Sequence, residues 1–194
     1  MRSPSYSSRL ASAADEADVW LSDGRTYSAQ RYSPLTQVTA ENVNELGLHW
    51  YDDYDTFRGI EATPLYADGV LYNTLAWNIT IAYDAATGER LWTFDPAELH
   101  ARERSHVNRG VVYWEEGDDR RIFFTAGPHL YALDAETGRP IASFARGGWL
   151  DLREGLGVAS GPGSARTGGR RRSGSRRSSW GSSPGSAARR GCRG

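Results

Sequence analysis

The alternation of hydrophobic and polar positions divides the chain into three parts. Residues 1–18 are rich in Ser and Ala, carry mixed charges and have no apolar period, which predicts a disordered leader. From Trp20 to about Leu150, short apolar runs are broken by Gly, Asp and Asn. Six runs, 68–77, 79–85, 90–95, 110–116, 120–126 and 129–135, combine β-branched and aromatic residues with turn residues at both ends, and are predicted strands. Gly punctuates them because it reaches the positive φ that tight hairpins need. Two short helical turns are predicted, at 39–46 behind a Thr39 cap and at 95–104 with Pro96 in the first turn. From Gly161 onward Arg, Gly and Ser dominate and nothing can bury a core, so 161–194 is predicted to be a disordered tail. The body between is mainly β.

An internal repeat sharpens that picture. AYDAATGERLWTF (82–94) and ALDAETGRPIASF (132–144) share Ala, Asp, Ala, Thr, Gly and Phe at matching places, 50 residues apart. Each is a strand, an Asp-centred turn with Gly, and a second strand. Recurrence of such a hairpin every 40–50 residues is the mark of a propeller blade.

Charge and composition narrow the function. The 23 basic and 24 acidic residues nearly cancel, but 161–194 holds nine Arg and no acid while residues 1–160 hold 14 Arg against 24 acids. The chain has no Lys, which fits a gene of high GC content. Its single Cys, Cys192, excludes an internal disulfide and a Cys-rich zinc site. No apolar run is long enough for a transmembrane helix, and the first twenty residues lack the apolar stretch of a secretory signal. An Arg-rich tail can bind nucleic acid through phosphate charge. A single aromatic (Trp180), no RGG series and an acidic body argue against that use here.

Individual residues have plain structural readings. His49, His100 and His129 lack metal-ligand spacing, and His106 reads as a structural histidine. Residues 115–119 (EEGDD) read as a hairpin tip, Asn78-Ile79-Thr80 as strand chemistry, and Trp50, Trp77, Trp92 and Trp114 as packing between blades.

The repeat, together with RYSPLTQV (31–38), NVNELGLHW (42–50), GIEATPLYADGVLY (59–72) and VNRGVVYWE (107–115), resembles the N-terminal part of the quinoprotein alcohol dehydrogenases over residues 19–157. The string 82–92 is similar to that family's tryptophan-docking motif, although Ala142 stands in the second copy where Trp92 stands in the first. The resemblance implies an all-β fold: about two blades, within 19–160, of an eight-bladed propeller. It implies pyrroloquinoline quinone (PQQ) with calcium or a lanthanide, and periplasmic oxidation of a small primary alcohol. In that chemistry a hydride passes to the quinone, an Asp acts as base, and a cytochrome c-type protein accepts the electrons. Glu61 matches a carboxylate that contacts the cofactor, and Arg109 the guanidinium that pairs with it.

Two departures accompany the match. Glu103 and Arg104 stand where many members carry adjacent cysteines. The family's metal ligands and catalytic Asp lie downstream of the second repeat, where this chain turns into its Arg/Gly/Ser tail. No catalytic or metal-binding residue is therefore expected here, and the fragment is expected to bind no cofactor by itself and to be inactive. GC-rich codons in a shifted frame yield such a tail, so a frameshift near residue 160 is the expected origin. Similar repeats also occur in non-catalytic scaffolds of outer-membrane assembly, where GIEATP with VNRG would have no purpose.

Overall fold

The computed structural model describes residues 6–101 and 107–154. The tail, His106, Glu103 and Arg104 lie outside the described residues. Two four-stranded antiparallel meanders form the body. The first comprises β1 (Leu65–Ala67), β2 (Val70–Thr74), β3 (Thr80–Asp84) and β4 (Arg90–Phe94). The second comprises β5 (Val112–Glu116), β6 (Asp119–Ala126), β7 (His129–Asp134) and β8 (Trp149–Asp151). All six predicted strands are present, in sequential order within each sheet. Asp68 and Gly69, at φ 51° and 87°, close the β1–β2 hairpin in the left-handed region that a two-residue turn requires.

The repeat is a turn with its own wiring. Asp84 Oδ1 accepts hydrogen bonds from the Ala86 and Thr87 amides and the Thr87 hydroxyl at 3.0, 2.7 and 2.9 Å. Asp134 repeats the arrangement with the Thr137 amide and hydroxyl at 2.8 and 2.7 Å. Gly88 and Gly138, at φ 77° and 70°, close the two turns.

These turns are also docking platforms. The Trp92 indole lies over Gly138 and donates to Ala135 O at 3.0 Å. Trp50 does the same over Gly88, with its indole N–H 3.0 Å from Ala85 O. The seam between the sheets is aromatic. Tyr72 of the first meets Tyr113 of the second, and Phe94 meets Phe124 and Tyr131, at centroid separations near 6 Å, while Trp92 packs on Tyr72 of its own sheet. Each of these six rings is buried, and burial of one such side chain stabilises by roughly 1.5–3 kcal/mol. Trp92 thus packs between the sheets as the sequence led us to expect, whereas Trp50 packs on the first sheet alone, stacked on Tyr83. Trp114 does not: it lies on the outer face of its own sheet beneath the Arg121 guanidinium, 5.3 Å from its ring. Trp77 sits in the β2–β3 loop under Arg58, at 4.2 Å.

Three local expectations change. Residues 6–18 are not the structureless leader the composition suggests. Helix α1 (Tyr6–Ser12) buries Leu10, and Ala13 follows it into the core. Arg9 binds Glu16, Asp68 of the β1–β2 turn and Glu115 of β5 at 3.0, 2.7 and 3.3 Å, so one side chain ties this segment to both sheets. Its partners, the Asp68 hydrogen bond foremost, raise the guanidinium pKa further. Seven helical residues are too few for a period to register in the sequence. The two predicted helices contract to single 3-10 turns, Val43–Glu45 and Pro96–Glu98, the latter capped by the Asp95 side chain on the Ala97 amide.

The outer covering is thin. Residues 48–56 run extended over the first sheet's outer face, where Tyr83 OH donates to Asp52 at 2.6 Å and Arg90 pairs with Asp52 in a fork. Leu46, Leu48, Tyr51 and Phe57, in or beside this segment, are exposed, as are Tyr32 and, on the second sheet, Val112.

Candidate functional site

Two run-in segments, one leading to β1 and one to β5, cross at the same end of the sheets. The Thr63 amide donates to Arg109 O at 3.3 Å. Gly110 permits this approach: it adopts φ 131°, and a Cβ there would lie 3.1 Å from Thr63 O. The Thr63 hydroxyl continues to Asp23 Oδ1 at 2.5 Å. That bond, followed by the one from Arg31, holds the Asp23 carboxyl below the usual range.

The crossing brings the two sequence-predicted residues side by side. Arg109 Nη2 is 3.5 Å from Glu61 Oε2, and 82% of the Arg109 side chain is exposed. The guanidinium therefore has donor capacity to spare for a ligand. It lines an open depression of ≈ 470 Å³ with Asn78, Asn108, Gly110, Thr125 and Gly127. An ion pair this exposed adds little stability, about 0–1 kcal/mol.

Asn108 fixes the loop beneath Arg109. Its amide nitrogen donates to Thr125 O at 3.0 Å and to Asn78 Oδ1 at 3.3 Å, while its oxygen accepts from the Gly110 amide at 3.0 Å. One side chain thus joins the β2–β3 loop of the first sheet to β6 of the second. Neither Asn108 nor Asn78 stood out as functional in the sequence, although VNRG already contained the first. Asn78 is not strand chemistry: it ends a 3-10 turn at φ 63° and is buried, which also closes its sequon to modification.

Among the described residues no group of three or more His, Cys, Asp or Glu converges as a metal site, and no helix is long and apolar enough to cross a membrane. What the arrangement offers is a permanently charged planar donor beside a carboxylate, at the mouth of a polar hollow. A guanidinium so placed can hold a carboxylate through a fork of hydrogen bonds.

Comparison with known proteins shows the family. Residues 20–168 match the family model described as "PQQ: Glucose/ethanol/alcohol dehydrogenase, beta-propeller domain". The chain is 46% identical over 147 residues to the quinohemoprotein alcohol dehydrogenase ADH IIB of Pseudomonas putida, covering 69% of this chain and 21% of that one. It is likewise 46% identical over 137 residues to the dehydrogenase subunit of the quinone alcohol dehydrogenase of Komagataeibacter europaeus, covering 68% and 18%. The solved structure of quinohemoprotein alcohol dehydrogenase ADHIIG from Pseudomonas putida superposes with a TM-score of 0.63 at 37% identity, over 75% of this chain and 20% of that one. The chain therefore spans about a fifth of the length of these relatives.

Proposed function

Because the chain belongs to the PQQ-dependent glucose/ethanol/alcohol dehydrogenase β-propeller family, we propose that its two blades are the opening arc of an alcohol-oxidising quinoprotein. In this reading Arg109 holds a cofactor carboxylate and Glu61 contacts the same group. The observation that carries it is the largely exposed Arg109 beside Glu61 over a polar hollow. A planar guanidinium with free N–H groups fits a cofactor bearing several carboxylates. PQQ, when bound, supplies the acceptor for the hydride that leaves an alcohol carbon. This chain's own contribution is to bind and orient: Thr63 and Asn108 fix the backbone on either side of Arg109, and Glu61 sets the direction of its fork.

The metal (calcium or a lanthanide) and the general base belong to blades beyond these two. Two of eight blades leave the cofactor cavity mostly open, and the 194-residue polypeptide alone does not turn over alcohol. Periplasmic location and a cytochrome c-type electron acceptor complete the proposal.

The test places residues 20–154 in the corresponding part of the Pseudomonas putida ADH IIB. The chimera is expected to take up PQQ and oxidise primary alcohols with a dye acceptor. Arg109→Ala is expected to weaken PQQ uptake roughly tenfold or more, the scale of a charged hydrogen bond. A chimera that folds yet binds the quinone equally well with and without Arg109 would overturn the assignment. Dye-linked oxidation by the purified 194-residue chain with PQQ and calcium would refute its inactivity.

A further inference from the structure

The segment that precedes the first sheet runs beside the candidate site, and its backbone is well anchored. Trp20 exchanges two backbone hydrogen bonds with Tyr66 of β1, at 2.9 and 3.0 Å. Leu21 is fully buried, and the buried Arg25 donates through Nη2 to the Ala13 and Glu16 carbonyls at 2.9 and 2.7 Å. Asp23 stands between these two anchors. Its side chain is exposed, but the backbone that carries it is fixed on both sides.

Both carboxylate oxygens of Asp23 are engaged. Oδ1 accepts from the Thr63 hydroxyl at 2.5 Å, and Oδ2 accepts from Arg31 Nη2 at 2.6 Å. The Arg31 amide donates to Gly24 O at 3.2 Å, which closes the 24–31 loop and keeps the guanidinium beside Asp23. The carboxylate is thereby directed at Thr63. Thr63 is held twice, its hydroxyl by Asp23 and its amide by Arg109 O at 3.3 Å. The amide bond is long for N–H···O and fixes the crossing weakly by itself. The hydroxyl bond is short and made to an ionised acceptor, so it is the stronger of the two.

We propose that Asp23 is a positioning residue of the candidate site: by holding the Thr63 hydroxyl it keeps the 61–63 run-in against Gly110 and so sets the spacing between Glu61 and Arg109. Asp23 itself touches no ligand. The inference rests on the proposed role of Glu61 and Arg109, and it makes the segment ahead of the first sheet a working part of their site. A bond this exposed contributes little to global stability, so its effect is local.

The test is NMR of the full 194-residue chain without quinone, so that its outcome does not depend on what Arg109 binds. Amide hydrogen exchange at Thr63 and the Arg109 Nε–H resonance are followed, with exchange at Tyr66, whose amide donates to Trp20 O, as the reference. Asp23→Ala is expected to raise exchange at Thr63 roughly fivefold, the scale of one hydrogen bond. It is also expected to shift the Arg109 resonance, with Tyr66 exchange and the urea midpoint unchanged. Asp23→Asn keeps an acceptor oxygen toward Thr63 and is expected to restore most of both readings. Thr63→Val removes the same bond from the other side and is expected to reproduce Asp23→Ala, which keeps the test open should Asp23→Ala fail to fold. Unchanged Thr63 exchange with an unmoved Arg109 signal would overturn the positioning role, as would an equal rise at Tyr66, the mark of general loosening. Failure of the Arg109 assignment is a separate result, read as unchanged PQQ uptake when Arg109 is replaced in the chimera.

Discussion

In the first sheet the Asp84–Gly88 turn leads straight into β4, five continuous residues with Trp92 at the centre. In the second, the same turn runs into Pro140, and the fourth strand resumes only at Trp149. Pro140 makes a single bridge, to Leu133, and cannot donate to the ladder. The chain then turns, the Phe144 amide donating to Ile141 O, before β8 pairs with 129–131. The turn is therefore a self-contained device, wired by its Asp and Thr. The docking tryptophan belongs instead to the strand that follows. Where that strand is broken, position 142 carries Ala, with no indole to lay over a further Gly.

The largest effect this contrast predicts is at Trp92. Its ring is buried between the sheets, so Trp92→Ala is expected to cost about 3–5 kcal/mol, read as a fall in the urea midpoint. Trp50 makes the matching contact but rests on a partly exposed segment, and Trp50→Ala is expected to cost less than half as much. Ala142→Trp is expected to change stability little. Equal losses at Trp50 and Trp92 would contradict the idea that an indole matters for the seam it closes rather than for its turn.

The glycines beneath the indoles come next. An Ala at Gly138 would hold a left-handed φ at about 1–2 kcal/mol and place its Cβ 2.5 Å from the Trp92 ring. Overpacking adds about 1–3 kcal/mol. Gly88→Ala meets Trp50 at 2.6 Å, but the segment bearing Trp50 has room to swing, so mainly the φ cost remains. Gly69→Ala is the reference: φ is 87° and nothing lies within 4 Å of the added atom. The expected order of loss is Gly138, then Gly88, then Gly69, and calorimetric midpoints check it.

How much of this was legible depends on how far the information travels along the chain. Strands, hairpin tips and the Asp-Ala-x-Thr-Gly turns are local, and short-range pattern was enough to find them. Glu61 and Arg109 were each singled out by resemblance, since neither is unusual alone, and their pairing across 48 residues shows only in the fold. Asn108's clasp on Asn78 and Thr125, the reach of Arg9 to Asp68 and Glu115, and the hold of Asp23 on Thr63 carry no local signature. Each exists only because the meanders bring distant segments together. The exposed face around Tyr51 and Phe57 is legible only from the fold. No sheet among the described residues covers them.

The smallest effect separates the two sheets by pH. Arg90 on β4 forks onto Asp52, which also accepts from Tyr83, and this latch holds the Trp50 segment to the first sheet. The corresponding position in the second sheet is Pro140, so no such latch exists there. Hydrogen bonding from Arg90, more than any other influence, holds the Asp52 carboxyl below its ordinary value, and desolvation opposes it. A lowered native value means the contribution is fully present above the unfolded value of about 3.9 and is lost as pH falls through the lower native one. Since Arg90 is half exposed, screening keeps the contribution at about 1 kcal/mol or less. In 19F NMR of the chain labelled with fluorotryptophan, the Trp50 signal is expected to move toward its solvent-exposed position only below about pH 4, ahead of Trp92. Arg90→Gln should give Trp50 the low-pH position already at pH 6. If Trp50 and Trp92 shift together, or if Arg90→Gln leaves the Trp50 profile unchanged, the segment is held by its indole alone and the charge fork contributes nothing.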